Sequence, residues 1–368
     1  MCGVWTTRRW RPPTRGWGCR LRRPSPTCGR WILARVEADP VALAARWLPE
    51  LAGRRLLVVD VPSGAAAGRL GVDEALWHST HWPTHAALVA ERRAAHFGVA
   101  PAPDLDAEAA LVFLPKGRER IRMMLALVAG ALPPGAPLWV VGARRTGIES
   151  AADDLRAVAE PDRTEVGRHA RLLMARARGG SAPDVDAWIT SWTLTPGEVS
   201  LTVASLPGVF SHGRLDDGTR LLLQACPRLT GPLLDVGCGA GVLGVWYALQ
   251  GTSAATLVDA DAFAVVAARR TAALNGVDVR VEPADVFPSD GVFTSIVSNP
   301  PFHRGVDTDH TITERLVRDA PARLTAGGTL TLVCNRFLPV QDALDRAFGA
   351  HQVLADDGRY RVYRAERA

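Results

Sequence analysis

From residue 233 onward the chain alternates between two hydrophobic periods. Apolar runs of strand length ("LLDVG", "ATLVDA", "VRVEP", "SIVSNP", "TLTLVCN") are separated by "AFAVVAARRTAALN" and "TITERLVRDAPARL", whose apolar residues recur at helical spacing. Alternation of this kind predicts a parallel, doubly wound sheet. The closing segment "HQVLADDGRYRVYRA" predicts two strands around Asp356-Asp357-Gly358, an antiparallel hairpin at the end of that sheet. The first half has the same outline. "RRLLVVDVP", "AALVFLPKG" and "PLWVVGARRTGI" predict strands, and "RERIRMMLALVAGAL" predicts a helix. "LVFLPKG" stands where the second half has "IVSNPPF", and "PLWVVGARRTGI" where it has "TLTLVCNRFLP". Either the chain is an internal duplication, or two α/β domains are alike only in class. Turn formers in "GGSAPD" and "TPGE" put the linker at residues 178–197, with domains over residues 36–185 and 196–368.

Length and composition agree with two domains: 368 residues, 47% of them hydrophobic, are ample for buried cores. No apolar run reaches the ~18 residues of a membrane span, so a cytoplasmic protein without membrane association is expected. The net charge of +5 is unevenly distributed. Residues 1–35 hold nine arginines and no acid, leaving the rest at −4, so any nucleic-acid surface on the body must be a local patch. That tail has no hydrophobic period. It reads as a basic arm, a transit peptide, or most simply a disordered or mis-assigned start. Cys226, Cys238 and Cys334 lack C-x-x-C spacing and histidine companions, which predicts reduced thiols and no metal site.

Chemistry enters with "LLDVGCGAGVLGVWYAL", where Gly237, Gly239 and Gly241 lie between a strand and a helix. Glycines there permit a tight turn and close ligand approach, with helix N–H groups free to bind. With Gly244 counted as the last glycine, a dinucleotide fingerprint also fits. Asp235 before the turn and the compact D-x-G-x-G-x-G spacing instead resemble S-adenosylmethionine-dependent methyltransferases, in which that carboxylate helps hold the methionine end of the cofactor. Asp259 ends the next strand, 18 residues beyond Gly241, where a carboxylate can take both ribose hydroxyls. Asp285 ends the third, suited to an adenine amino group, with Val286 or Phe287 beside the ring. Ligands bind at the carboxyl edge of such sheets.

The fourth strand leaves through Asn299-Pro300-Pro301-Phe302. An exocyclic amine conjugated to a base has little lone-pair density. The Asn299 side-chain oxygen and the Pro300 carbonyl can accept its two N–H bonds and aim the lone pair, with the prolines fixing the geometry in advance. Phe302 offers a face on which a base can stack, and no covalent nucleophile or metal is required.

Together "LPGVFSHGRLDDGTRLLL", "LLDVGCGAGVLG", "SNPPFHRG", "NRFLP" and "GRYRVYRA" resemble, in order, the bacterial ribosomal RNA guanine-N2 methyltransferases, most closely the small-subunit type. The resemblance implies an α/β chain of two tandem class I (Rossmann-like) methyltransferase domains. The N-terminal one is degenerate, supporting folding and binding RNA, and the C-terminal one is a seven-stranded doubly wound catalytic sheet. It implies S-adenosylmethionine as cofactor, held by Asp235, Gly237, Gly239, Gly241, Asp259, Asp285, Val286 and Asn299. Catalysis falls to Asn299, Pro300 and Phe302 on a flipped guanine of 16S rRNA. Phe210, Leu215 and Asp216 would lie over cofactor and base, with His303 and Arg336 as RNA contacts. The substrate is ribosomal RNA, a small subunit or an assembly intermediate, and the enzyme is expected to act as a monomer. Lys116, Arg118, Arg120, Arg144 and Arg145 are further candidate RNA contacts. Alternatives are the large-subunit enzyme, a methyltransferase for adenine N6 or a protein glutamine (for which Tyr more often stands at the fourth motif position), and a non-catalytic RNA-binding or assembly protein.

Overall fold

The computed structural model describes residues 39–72, 74–167, 169–197, 199–210, 213–300 and 307–368. The basic tail and residues Pro301 to Val306, including Phe302 and His303, lie outside them. The first half runs α1 (Pro40–Trp47), β1 (Leu56–Val59), α2 (Gly64–Leu70), β2 (Ala75–Ser79), α3 (Trp82–Ala90), β3 (Ala95–Phe97), β4 (Ala109–Phe113), α4 (Arg118–Gly130), β5 (Pro137–Ala143), α5 (Ile148–Arg156), β6 (Ala159–Gly167) and β7 (Ala170–Ala177). A short hairpin follows, β8 (Thr190–Leu194) with β9 (Leu201–Ser205). The second half runs α6 (Asp217–Ala225), β10 (Leu233–Val236), α7 (Val242–Leu249), β11 (Ala255–Asp259), α8 (Ala262–Leu274), β12 (Arg280–Pro283), β13 (Phe293–Ser298), α9 (Asp307–Asp319), β14 (Leu324–Asn335), α10 (Gln341–Phe348), β15 (Gln352–Asp356) and β16 (Tyr360–Glu366).

Both halves build a seven-stranded sheet, and the two strand orders are the same. The first is β3-β2-β1-β4-β5-β7-β6 and the second β12-β11-β10-β13-β14-β16-β15. In each, five parallel strands end in an antiparallel hairpin, the last one around Asp357-Gly358 as its turn residues predict. The shared order fits an internal duplication and equally two domains of one fold class. The central strands explain themselves: β1 and β10 are buried at every position, so both faces must be covered by helices.

One expectation changes. The stretch read as linker carries β8, which pairs along its length with β9, so part of it belongs to folded structure. Turn formers at 178–184 and 195–197 bracket a strand that they masked in the sequence. The hairpin is fastened to α8, where the Asn275 side chain exchanges bonds with Thr202 (Thr202 N to Oδ1, 2.9 Å; Nδ2 to Thr202 O, 2.6 Å). Packing is also continuous between the halves: Val99, Met123 and Leu127 of the first half join the apolar cluster that holds Leu243, Phe263 and Val297 of the second.

Gly244 shows how tightly α7 lies on the sheet. A Cβ there would stand 2.6 Å from Leu257 Cγ on β11, and Leu257 is fully buried with no room to yield. Gly244→Ala is therefore expected to cost about 1–3 kcal/mol, seen as a lower Tm in thermal unfolding; an unchanged Tm would mean that α7 shifts freely.

Candidate active site

The site begins where β10 ends. Gly237, Gly239 and Gly241 adopt φ of +67°, +54° and +79°, a left-handed run that side chains disfavour. The resulting turn is closed by two carboxylates. Asp235, fully buried, accepts the Gly244 N–H through Oδ2 at 2.9 Å, while its Oδ1 is buried without a partner. Asp259, at the end of β11, accepts Gly239 N–H through Oδ2 and Asp261 N–H through Oδ1, both at 2.9 Å. Burial pushes the Asp235 carboxyl up to about 7. Burial and the neighbouring Asp261 charge push Asp259 up to about 6.

Beside β10, strand β13 delivers Asn299 to the same edge. Its Nδ2 donates to Asp216 Oδ2 at 2.9 Å and to Thr219 Oγ1 at 2.8 Å. A carboxylate only accepts hydrogen bonds, so the amide cannot be turned round. Asn299 Oδ1 is left buried and unpartnered. Asp216 is itself held as the N-cap of α6, accepting Thr219 N–H at 2.9 Å. Pro300 is buried behind Asn299.

A cleft joins these parts: Phe210, Leu215, Asp216, the glycine turn, Asp235 and Asn299 line it together with Trp192 and Thr219. Phe210 stands at its surface, 55% exposed. Trp192 and Thr219 were not legible beforehand, because Trp192 lies on the strand mistaken for linker and Thr219 acts through a contact with Asn299 across the fold. Other expected residues lie apart from the cleft lining. Asp285 is held by Arg315 of α9 at 3.0 Å, and Val286 is buried with φ +74°. Arg336 faces Asp356 of the terminal hairpin at 3.7 Å. Among the candidate RNA contacts, Arg118 reaches Asp154 (3.4 Å) and Arg144 reaches Glu149 (3.7 Å), both exposed. Arg120 is a correction: its side chain is 11% exposed and paired with Asp261 in the second half, out of reach of RNA. Among the described residues no group of three metal-ligating side chains occurs.

Superposing the paired registers shows what the first half lacks. Leu56 and Leu233 are equivalent in the two sheets, as are Ala75 and Ala255, and Ala109 and Ser295. Val58 then replaces Asp235, Asp60 replaces Gly237, Ser79 replaces Asp259, and a buried Phe113 replaces Asn299. Both carboxylates and the amide are gone, and the glycine that opens the turn is an aspartate, while the sheet is kept.

The family model for the methyltransferase small domain matches residues 200–364, and that for its N-terminal domain matches residues 42–192. A curated relative from Stutzerimonas stutzeri, ribosomal RNA small subunit methyltransferase C, is 39% identical over 328 residues, covering 86% of this chain and 96% of the relative. Its namesake from Chromohalobacter salexigens is 43% identical over 284 residues, covering 75% and 83%. The chain belongs to the ribosomal RNA small subunit methyltransferase C family. Among solved structures, the T. thermophilus 16S rRNA N2 G1207 methyltransferase, in complex with AdoMet and guanosine, is similar with a TM-score of 0.76 and 26% identity over 91% of this chain and 93% of that one. As a member of this family the chain is an S-adenosylmethionine-dependent methyltransferase with the tandem α/β plan that its sequence implied.

For this methyltransferase the buried carboxylates carry a pH signature. An unfolded carboxyl titrates near 3.8 and folded Asp235 near about 7, so between those values the folded state holds a proton that the unfolded state has lost. Stability then falls as pH rises through that window. His78, which burial pushes down to about 3, acts in the opposite direction in both proteins, so the expected outcome is a difference: between about pH 4 and about pH 7 the Tm of ligand-free wild-type protein falls relative to that of Asp235→Asn. Equal slopes for the two proteins would refute the assignment.

Proposed function

We propose that the chain methylates the exocyclic N2 of a guanine in 16S rRNA, with the base flipped out of its stack. The observation that carries this reading is Asn299, an amide clamped by its nitrogen with its oxygen buried and unsatisfied. An unmet acceptor of that kind costs about 1–3 kcal/mol, and an incoming N–H donor would relieve it. An aromatic amine presents two such donors, and Asn299 Oδ1 and the Pro300 carbonyl are assigned one each. Accepting hydrogen bonds from both N–H groups turns the nitrogen lone pair out of conjugation and restricts its direction. As the N–C bond forms the S–CH3 bond breaks, leaving a thioether, and the cationic amine then gives one proton to water.

S-adenosylmethionine supplies an electrophilic methyl group on a sulfonium. The donor pocket is assigned to the turn at Gly237, Gly239 and Gly241, with the open Asp235 Oδ1 as acceptor for its amino-acid end and Asp259 for the ribose hydroxyls. Fit is supported by the left-handed turn, which leaves no side chain between backbone and ligand, and by Asp235 Oδ1, which no protein group satisfies. Asp285 and Val286 remain the assigned adenine side. Phe210 at the cleft mouth is assigned a stacking face, and Phe302 another from the motif alone. Asp216 is assigned to hold Asn299, and His303 and Arg336 to the flanking RNA. The relative solved with guanosine supports guanine over adenine as the base.

Asn299→Ala is expected to lower kcat by about 10²–10³-fold while calorimetry finds S-adenosylmethionine binding unchanged. Loss of both together would make Asn299 structural. In a deletion strain, mass mapping is expected to find one N2-methyl missing from 16S rRNA. Intact 16S methylation with a methyl group missing from 23S rRNA would overturn the assignment.

A further inference from the structure

Arg120 belongs to the half of the chain that has no cofactor site, yet it ends beside the carboxylate assigned to the ribose. Residues 120, 123 and 127 fall on one face of α4, and Met123 and Leu127 bury that face in the second half's core. One turn earlier the Arg120 guanidinium takes both oxygens of Asp261, with Nη2 2.8 Å from Oδ1, and Nη2 also donates to Thr80 Oγ1 at 3.0 Å. Its Cζ lies 3.9 Å from the Phe263 ring centroid. Its stem also closes on Gly208, where a Cβ would meet Arg120 Cδ at 2.9 Å, two residues before Phe210.

The loop that Arg120 grips is the one that ends β11. Asp261 N–H donates to Asp259 Oδ1, and the other Asp259 oxygen holds Gly239 of the turn. The same loop is stitched to the first half by reciprocal backbone bonds, Trp82 N to Ala260 O at 2.7 Å and Ala262 N to Thr80 O at 2.8 Å. A continuous chain of contacts therefore runs from α4 through Asp261 and Asp259 to Gly239. We infer that Arg120 is a positioning residue for the donor pocket, by which the first domain holds the Asp259 loop in its binding geometry. The inference rests on the assignment of Asp259 to the cofactor.

Charge makes the role testable. Asp259 is faced by Asp235 and Cys238 of its own sheet edge, by Asp261, and across the interface by Arg120, with Asp60 and His81 behind it. Arg120 is the cation among them that grips Asp261. Without it the Asp261 charge acts on Asp259 unopposed, and the Asp259 carboxylate protonates at higher pH.

The test is calorimetric titration of full-length protein with S-adenosylmethionine between about pH 6 and about pH 8. Arg120→Met is expected to weaken binding about tenfold, more at the acid end than at the alkaline end. Arg120→Met with Asp261→Asn is expected to regain most of the acid-end loss, because the unopposed charge is gone. A purely structural Arg120 would weaken binding equally at both pH values and would not be rescued by a second lesion. Either result, or wild-type affinity in folded Arg120→Met, overturns the inference. Should Arg120→Met not fold, Arg120→Gln carries the test, since it keeps a polar side chain but removes the charge facing Asp261; wild-type affinity there is equally fatal. Asp259→Asn separates the two claims. Wild-type binding in that variant removes the ribose assignment itself, whereas weak binding there beside normal binding in the Arg120 variants removes only the positioning role.

Discussion

Two carboxylates sunk in the carboxyl edge of a parallel sheet, and tied to backbone N–H groups, set the terms for the rest of this site. Asp235 binds Gly244 N–H and Asp259 binds Gly239 N–H, so the glycine turn between their strands is held at both ends. Burial disfavours their charged forms, which is why both titrate near neutrality. Such a turn cannot tolerate side chains at its left-handed positions. It also cannot stand alone, because the loop after β11 must be kept close enough for Asp259 to reach Gly239.

The repeated architecture shows how that loop is kept. Both halves share strand order, yet the first has Val58, Ser79 and Phe113 where the second has Asp235, Asp259 and Asn299. Where the second half has Gly237 with φ +67°, the first places Asp60 with φ +52°, and its carboxylate is consumed by Thr80 N–H and Oγ1. The first half, without carboxylates at the Asp235 and Asp259 positions, packs against the loop that carries Asp259. Its β2–α3 loop pairs with the β11–α8 loop at equivalent positions in the two halves.

Asn299 illustrates the same economy of contacts at the other end of the cleft. One carboxylate, Asp216, caps α6 and fixes the Asn299 amide at once, so the start of a helix and the aim of a side chain depend on a single group. Under the proposed function, methyl transfer to an amine needs orientation more than acid–base power, and orientation is the role assigned to this clamped amide.

How much of this was legible in the sequence follows from distance along the chain. The strands, the glycine turn, the acids at successive strand ends and the hairpin at Asp357-Gly358 are short-range patterns. Periodicity and turn chemistry act over a few residues, and the chain alone determines them. The family could be read the same way, because its motifs are contiguous. Tertiary structure decided the rest. Asp216 meets Asn299 across 83 residues and Arg120 meets Asp261 across 141, and nothing local distinguishes an arginine that will be buried against an acid from one that will face RNA. β8 was hidden because turn formers flank it and its partner strand settles its conformation. The chain writes its own turns and strand ends, but which charges neutralise one another is fixed only when packing removes the water between them.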